Sequence, residues 1–278
     1  MPFSFFLMPV FFFALANAET TSITNILITF VSIHLFLYPA SNAYNSYFDR
    51  DEGSIGGLKA PPKVEESLLY LSLIFDVIAL LLSALINSTF FFMVLVYGLI
   101  SKAYSHPKIR LKKRPYLGLI IVSLFQGWFT FLMIVSGLES LNINELLIWE
   151  LSKPGLLTTM LLLGSYPMTQ IYQHSEDGQR GDRTISLILG VKGTFFFTTL
   201  VFSIATALYA IYFSSNYSTE VAMIFILILS PVLVFFLWWF AKSQKSLSYV
   251  NYKNAMRLNT LSALCLNLFF IYLNFVEV

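Results

Sequence analysis

An amide and a carboxylate at helical spacing follow the second long apolar run of the sequence. Asn45 and Asp49 are four residues apart, so a helix places them one turn apart on the same face. Glu52 joins this face if the helix continues, and Asp51 joins it only if the helix unwinds. Carboxylate and amide oxygens suit Mg²⁺ or Mn²⁺, and Mg²⁺ commonly also binds a phosphate group. The stretch predicts a cation site, and an acidic helix end that simply faces solvent is the alternative.

A second pair with the same spacing follows a later apolar run. Gln173 and Asp177 are again four residues apart, which predicts that both project from the end of one helix. Two oxygen-bearing pairs at equivalent helix ends could hold two divalent ions that face each other and bind a diphosphate between them. The alternative is that the acidic residues form ion pairs with Arg180 and Arg183 in water; these acids are Glu176, Asp177 and Asp182.

A strongly basic loop lies between these two stretches. Its positive charges are Lys102, Lys108, Arg110, Lys112, Lys113 and Arg114. Arg110 could contact a diphosphate through two guanidinium nitrogens, and Lys112 could contact it as a point charge. The alternative is that the loop only fixes the membrane orientation and attracts anionic lipid head groups.

The composition is that of an integral membrane protein. Of 278 residues, 57% are hydrophobic and only 12% are charged, whereas soluble domains carry about 25% charged residues. The net charge is only +2, and no nucleic-acid partner is predicted. Cys265 is the single cysteine, so an intrachain disulfide is excluded.

Nine stretches are apolar and long enough to cross a bilayer as helices. We therefore predict an all-α integral membrane protein that forms a single domain over residues 1–278, and we expect its first helix to be retained rather than cleaved after Ala18. The predicted spans are 3–18, 23–48, 66–87, 89–104, 116–137, 155–174, 194–213, 219–241 and 256–276.

The basic residues predict the orientation of these spans. A cytoplasmic N-terminus places loops 49–65, 105–115, 175–193 and 242–255 on the same side of the membrane. All of the 17 Lys and Arg residues except Lys153 then lie on that side, as the positive-inside rule requires. We expect a multi-pass protein of the cell (inner) membrane whose polar helix ends face the cytoplasm.

The charge pattern repeats with a period of four helices. The second and sixth predicted helices each lead into an acidic loop, and the fourth and eighth each lead into a basic one. This pattern predicts two four-helix halves followed by a final helix. Repeats of this kind usually place the functional site between the halves.

Three motifs in order along the chain resemble those of the UbiA superfamily of intramembrane prenyltransferases. The family's first motif, Asn-Asp-x-x-Asp-x-x-x-Asp, is similar to the stretch from Asn45 to Gly53, in which Ser46 replaces the second residue and Gly53 the last. Its second motif, Asp-x-x-x-Asp followed by Gly, resembles residues 173–181, with Gln173 in place of the first Asp. The family's Tyr-Ser-x-Pro…Arg-Leu-Lys loop is similar to residues 104–112.

The resemblance implies an Mg²⁺-dependent transfer of a polyprenyl group from its diphosphate to an unidentified acceptor, such as an aromatic or quinone precursor. The prenyl tail would lie in an apolar chamber open to lipid. Asp49 and Asp177 are the expected catalytic residues. The expected metal ligands are Asn45, Asp49, Asp51, Glu52, Gln173 and Asp177. The expected substrate contacts are Asn45, Arg50, Lys59, Tyr104, Arg110, Lys112, Tyr172 and Arg183.

Two other functions are compatible with these residues. The departures at Gly53 and Gln173 allow a family member that binds prenyl diphosphate without turnover. A membrane transporter is a further alternative, and it predicts broken helices and charges at the membrane midplane. Asp76 is the only acid deep in a predicted span; it either orients the acceptor or pairs with a polar neighbour such as His34.

Overall fold

The computed structural model describes residues 2–50 and 53–276, and its regular elements in these ranges are helices. In chain order they are α1 (Pro2–Ala16), α2 (Ile23–Asp49), α3 (Ser67–Ala84), α4 (Ser88–Ser105), α5 (Pro115–Glu139), α6 (Ile143–Leu146), α7 (Trp149–Gln170), α8 (His174–Arg180), α9 (Ile185–Asn216), α10 (Thr219–Lys245) and α11 (Tyr252–Leu273). Two of the long helices contain π-helical turns, at Val31–Leu37 in α2 and at Phe125–Phe129 in α5. The predicted all-α class is confirmed.

Seven helices in the described part of the chain are long and apolar enough to cross a membrane: α2, α3, α4, α5, α9, α10 and α11. Each of the nine predicted stretches contains a helix, but two of these helices do not meet the criterion. α1 has only 15 residues, and α7 carries Glu150, Lys153 and two prolines within its 22 residues. The predicted count of nine spanning helices is therefore not confirmed, and the two four-helix halves stay a prediction.

The boundaries of two helices near the polar end differ from the predicted ones. The helix predicted over 155–174 ends at Gln170. The helix predicted over 194–213 runs from Ile185 to Asn216, with a break at Gly190, whose φ of 65° lies in the region that favours glycine. The extra residues 185–191 are largely apolar, but Gly190, Lys192 and Gly193 separate them from the long apolar run, and such residues predict a break in a helix.

Side-chain caps fix where several helices begin. Asn87 accepts a hydrogen bond from the Phe90 amide at 2.7 Å and so starts α4. The same kind of side-chain cap begins three later helices: Thr184 caps α9, Ser218 caps α10 and Asn251 caps α11. These caps satisfy backbone amides that the helix leaves unpaired, so each turn between helices is held at a defined residue.

Aromatic packing closes the helices around a central cavity. α1 packs against both α11 and α5, so the first and last long helices are neighbours. At this contact the rings of Phe13 and Phe270 stack with centroids 4.5 Å apart. Near the start of α9, Phe195 packs against Trp239, whose indole donates a hydrogen bond to the Tyr249 carbonyl at 2.7 Å. These two buried clusters fix the helices that form the cavity wall.

Candidate active site

The carboxylate of Asp49 lies at the C-terminal end of α2 and is only 6% exposed. It forms an ion pair with Lys112, and Arg110 Nη2 lies 3.9 Å from its Oδ1 atom. One turn earlier, the Asn45 side-chain oxygen accepts a hydrogen bond from Ser105 Oγ. One cavity is lined by Asn45, Asp49 and Lys112. The two α2 side chains therefore share one helix face, as their spacing predicts, and this face is directed at the cavity.

Gln173 and Asp177 lie at the start of the short helix α8 rather than at the end of the preceding long helix, contrary to the prediction: Gln173 is the N-cap of α8, and its carbonyl accepts a hydrogen bond from the Asp177 amide at 2.9 Å. α7 ends at Gln170, and the Gln173 amide donates to the Gln170 carbonyl at 2.9 Å in a tight turn that interrupts the helical hydrogen bonds. Asp177 then lies within α8. The Gln173 side-chain nitrogen donates to the Ser54 carbonyl at 3.3 Å. Both side chains nevertheless line the cavity that the α2 pair lines.

The Asp177 carboxylate is buried within its own loop. It accepts hydrogen bonds from Arg180 Nη2 at 3.1 Å and from Thr184 Oγ1 at 3.2 Å. Burial raises the pKa of the Asp177 carboxyl group above its ordinary value, and the opposing effects of Arg180 and Thr184 do not cancel this rise. A further cation at this position would favour the charged carboxylate.

Asp182 is a buried carboxylate, whereas its sequence context predicts an ion pair in water. Its side chain accepts hydrogen bonds from Arg110 Nε at 3.2 Å and Nη2 at 2.9 Å, and Arg180 Nε lies 3.8 Å away. The predicted pairing of Asp177 and Asp182 with Arg180 is present, but it is buried, and the main partner of Asp182 is Arg110. Asp182 also lines the cavity. Its position next to Gly181, which turns the chain at φ 68°, is the only sequence signal for this inward placement.

Two tyrosines connect the helices beneath the carboxylates. The hydroxyl groups of Tyr104 on α4 and Tyr166 on α7 are 2.5 Å apart, and both side chains line the cavity. Tyr172 also lines it, and its ring packs against that of Tyr252 at 5.6 Å. Tyr104 and Tyr172 were predicted from the sequence, whereas Tyr166 was not.

Four of the predicted substrate-binding cations do not line the cavity: Arg50, Lys59, Arg110 and Arg183. Three of them, Arg50, Lys59 and Arg183, are exposed, whereas Arg110 is held by Asp182, which does line it. Arg50 ends α2 in the left-handed conformation (φ 49°), and its guanidinium lies 5.8 Å from the Tyr47 ring centroid. A change of backbone direction at a helix end sends the next side chain away from the helix face. The predicted ligands Asp51 and Glu52 lie outside the described residues.

The cavity has a polar end and a long apolar continuation. Its volume is about 870 Å³. Beyond the carboxylates its wall consists mainly of aromatic and aliphatic side chains, including Tyr97, Phe125, Leu162, Phe202 and Phe236. A cavity of this kind can hold a charged head group at one end and a hydrocarbon tail at the other.

Asp76 lies outside this cavity. It forms an ion pair with Lys102, which agrees with the alternative that Asp76 pairs with a polar neighbour, although that neighbour is not His34. The His34 ring nitrogen Nδ1 instead shares a hydrogen bond with Ser4 Oγ at 2.9 Å. Because a charge inside a membrane helix needs a partner, Lys102 on the neighbouring helix accounts for Asp76.

The model of the UbiA prenyltransferase family matches residues 6–261. The chain belongs to this family. The matched range includes both cavity-lining acidic stretches and the basic loop between them. No curated protein sequence matches this UbiA-family chain at a significant level.

Solved structures of other family members have the same fold. The apo structure of a UbiA homolog from Aeropyrum pernix K1 superposes with a TM-score of 0.74 at 18% identity, covering 98% of each chain. A UbiA homolog from Archaeoglobus fulgidus bound to DMAPP and Mg²⁺ has a TM-score of 0.63 at 18% identity, covering 99% of this chain and 96% of the homolog. A digeranylgeranylglyceryl phosphate synthase structure has a TM-score of 0.59 at 16% identity, covering 98% and 92%.

Proposed function

We propose that this chain is an Mg²⁺-dependent prenyltransferase that moves a polyprenyl group from its diphosphate to an acceptor within the membrane. The observation that carries the proposal is that two amide–carboxylate pairs, Asn45 with Asp49 and Gln173 with Asp177, line one cavity with a long apolar continuation. The binding of GPP and Mg²⁺ by the Archaeoglobus fulgidus homolog supports it.

The side chains at the polar end of the cavity that could ligate a metal fit Mg²⁺, because each of them has an oxygen atom. They are Asn45, Asp49, Gln173 and Asp177. Mg²⁺ is usually held by one or two carboxylates together with substrate phosphates. Among the described residues, no three His, Cys, Asp or Glu side chains cluster closely enough to hold an ion. Asp49 and Asp177 would therefore share the ion with a diphosphate, and Asp51 and Glu52 remain proposed ligands. When bound, Mg²⁺ would offset the negative charge of the leaving diphosphate.

The basic residues at the cavity mouth supply the remaining contacts to the diphosphate. Lys112 is paired with Asp49, and a phosphate oxygen offers it an equivalent charged partner. Arg110 is held by Asp182 with its guanidinium close to Asp49, and a planar fork of donors suits phosphate oxygens. Arg50, Lys59 and Arg183 are exposed and do not line the cavity, so we do not propose that they contact the diphosphate directly.

The reaction needs a shielded allylic carbon below the diphosphate. The carbon–oxygen bond breaks, and the bonding electrons leave with the diphosphate. Aromatic faces in the cavity wall, among them Tyr97, Phe125 and Phe202, stabilise the allylic cation. The acceptor then forms a bond to this carbon and loses a proton. The apolar wall keeps water away from the cation, which would otherwise be hydrolysed.

The test is binding of geranyl diphosphate to the purified protein with and without Mg²⁺. Loss of one charged ligand should weaken Mg²⁺-dependent binding by at least about tenfold in Asp49→Ala and in Asp177→Ala. Glu66→Ala is the control, because it removes an exposed carboxylate that does not line the cavity. Binding that is indifferent to Mg²⁺ and to both cavity carboxylates contradicts the proposal.

Binding without turnover is the second candidate function. It is favoured by Gln173, a neutral residue whose amide nitrogen is directed at the Ser54 carbonyl, since the loss of a negative charge weakens a second cation site. Under this alternative, wild type binds geranyl diphosphate but does not cleave it, and Gln173→Asp produces a large gain in diphosphate release. Cleavage by wild type contradicts it.

We also propose that the polar end of the cavity faces the cytoplasm of a cell (inner) membrane. The proposal rests on the distribution of Lys and Arg along the chain. Cysteine labelling of intact cells tests it: a cysteine at exposed Lys59 should resist membrane-impermeant reagents, whereas a cysteine at Lys153 should react. The reverse pattern contradicts it.

A further inference from the structure

The charged side chains that line the cavity are confined to its polar end. In the described parts of the chain they are Asp49, Lys112, Asp177, Arg180 and Asp182, all at helix ends or in connecting loops. Lys112 is paired with Asp49, and Arg180 with Asp177. Residues 2–50 and 53–276 therefore place no cation along the deeper wall.

Three amide side chains line the cavity below this charged layer: Asn42 on α2, Gln126 on α5 and Asn259 on α11. Asn42 precedes Asp49 by seven residues, which corresponds to about 10 Å along a helix. Asn259 follows the start of α11 at Tyr252 by the same number of residues. None of the three makes a side-chain hydrogen bond to another described residue, and none of them has a fully enclosed polar atom, so a molecule in the cavity can reach all three.

An amide without a partner inside a membrane domain is unfavourable. Leaving such a group unsatisfied costs about 1–3 kcal/mol, and a purely hydrocarbon ligand that displaced water from the cavity would leave these amides so. A hydrocarbon chain has no hydrogen-bonding groups for these amides, so they do not bind the prenyl tail. Three amides on three different helices that face one cavity are suited to a ligand with hydrogen-bonding groups.

We propose that the acceptor is an uncharged molecule with hydrogen-bonding groups, such as a phenol or an alcohol, and that Asn42, Gln126 and Asn259 bind its polar atoms. A carboxylate or phosphate on the acceptor would need a cation along the wall, since burial of an unpaired charge is strongly unfavourable. The inference rests on the proposed function, because it names the second substrate of the same cavity.

The chemistry of such an acceptor is balanced without another reactant. Its hydroxyl oxygen or ring carbon forms the bond to the allylic carbon, and the diphosphate leaves with the electrons of the broken carbon–oxygen bond. The proton of the acceptor passes to the diphosphate or to water at the cavity mouth. No oxidant or reductant is required.

The test compares two probes of the same shape and different charge, para-hydroxybenzamide and para-hydroxybenzoate. Each is titrated calorimetrically into the purified full chain loaded with Mg²⁺ and geranyl S-thiolodiphosphate, whose carbon–sulfur bond resists cleavage. We expect the neutral amide to bind at least about tenfold more tightly, because the carboxylate finds no cation.

Two variants locate the site. Asn259→Leu should weaken binding of the neutral probe about tenfold, the effect of one lost hydrogen bond. Asn267→Leu is the matched control: Asn267 lies on the same helix, is buried, does not line the cavity and has no hydrogen-bond partner among the described residues. It should leave the affinity for the probe unchanged.

The outcomes separate this inference from the proposed function. Equal or tighter binding of the carboxylate, no binding of either probe at millimolar concentration, or equal effects of the two variants would overturn the inference. Failure of the thiolodiphosphate to bind would overturn the proposed function instead, and the probe titrations repeated without it would still test the amide site.

Discussion

Arg110 and Asp182 are joined by two hydrogen bonds, of 3.2 and 2.9 Å, although 72 positions separate them in the sequence. A bidentate pair fixes both the position and the plane of the guanidinium group. The Asp182 side chain is only 3% exposed, so water competes little for these bonds. Asp182 thereby holds Arg110 beside the carboxylate of Asp49.

Replacing Asp182 by Asn should weaken diphosphate binding through Arg110. The change keeps the shape but removes the charge, so Arg110 loses one charge-assisted bond and its fixed plane. We expect geranyl diphosphate to bind about tenfold more weakly, as measured by calorimetry. Adding Arg110→Gln to the Asp182→Asn variant should weaken geranyl diphosphate binding little further. If Asp182 and Arg110 acted independently, the losses of affinity from the two changes would add.

Replacing Lys112 by Met should change the affinities for cation and anion in opposite directions. Lys112 competes with a metal ion for Asp49 and also attracts phosphate. We expect Mn²⁺ alone, measured by electron paramagnetic resonance, to bind more tightly, and inorganic pyrophosphate to bind about tenfold more weakly. Lys113→Met, at the exposed neighbouring residue, is the control. A fall in both affinities would show that Lys112 does not compete for Asp49.

Gly181 and Gly178 should respond differently to the same substitution. Gly181 ends α8 at φ 68°, so Gly181→Ala should destabilise the protein by about 1 kcal/mol. Gly178 lies inside α8, and no atom of the described residues lies within 4 Å of the place that an alanine methyl group would occupy. Gly178→Ala should therefore be neutral or stabilising. Thermal unfolding in detergent measures both. Equal effects would indicate that the conformation at 181 is not left-handed.

Introducing the aspartate of the family motif at position 53 should destabilise the folded wild-type protein. The Glu176 carboxylate occupies the place that a side chain at position 53 would enter. The end of this flexible side chain can turn aside, but an aspartate at position 53 would still place two like charges close together. We expect Gly53→Asp to lower the melting temperature and Glu176→Ala to relieve that loss in the double variant. If Gly53→Asp alone is as stable as wild type, Glu176 moves aside freely.

The sequence determined the fold class and the approximate course of the helices. Long apolar runs, turn residues and the scarcity of charge are local properties, and the hydrophobic periods follow from them. The same local spacing placed Asn45 and Asp49 on one helix face, and the motifs were sufficient to indicate the family. The helix end at Gln170 was missed because the polar residues that follow it have no apolar period. The helix start at Ile185 was missed because Gly190, Lys192 and Gly193 interrupt the apolar run.

Only the tertiary structure decided which charges meet. Arg110 and Lys112 come from one loop and Asp182 and Asp177 from another, so their distances depend on how α4, α7 and α9 pack. Arg50, Lys59 and Arg183 have suitable chemistry, yet they are exposed, because the backbone direction at a loop position cannot be read from residue type. The position of Tyr166 opposite Tyr104 has the same origin. Contacts between distant segments arise from packing, whereas local residue patterns specify only the face of each element.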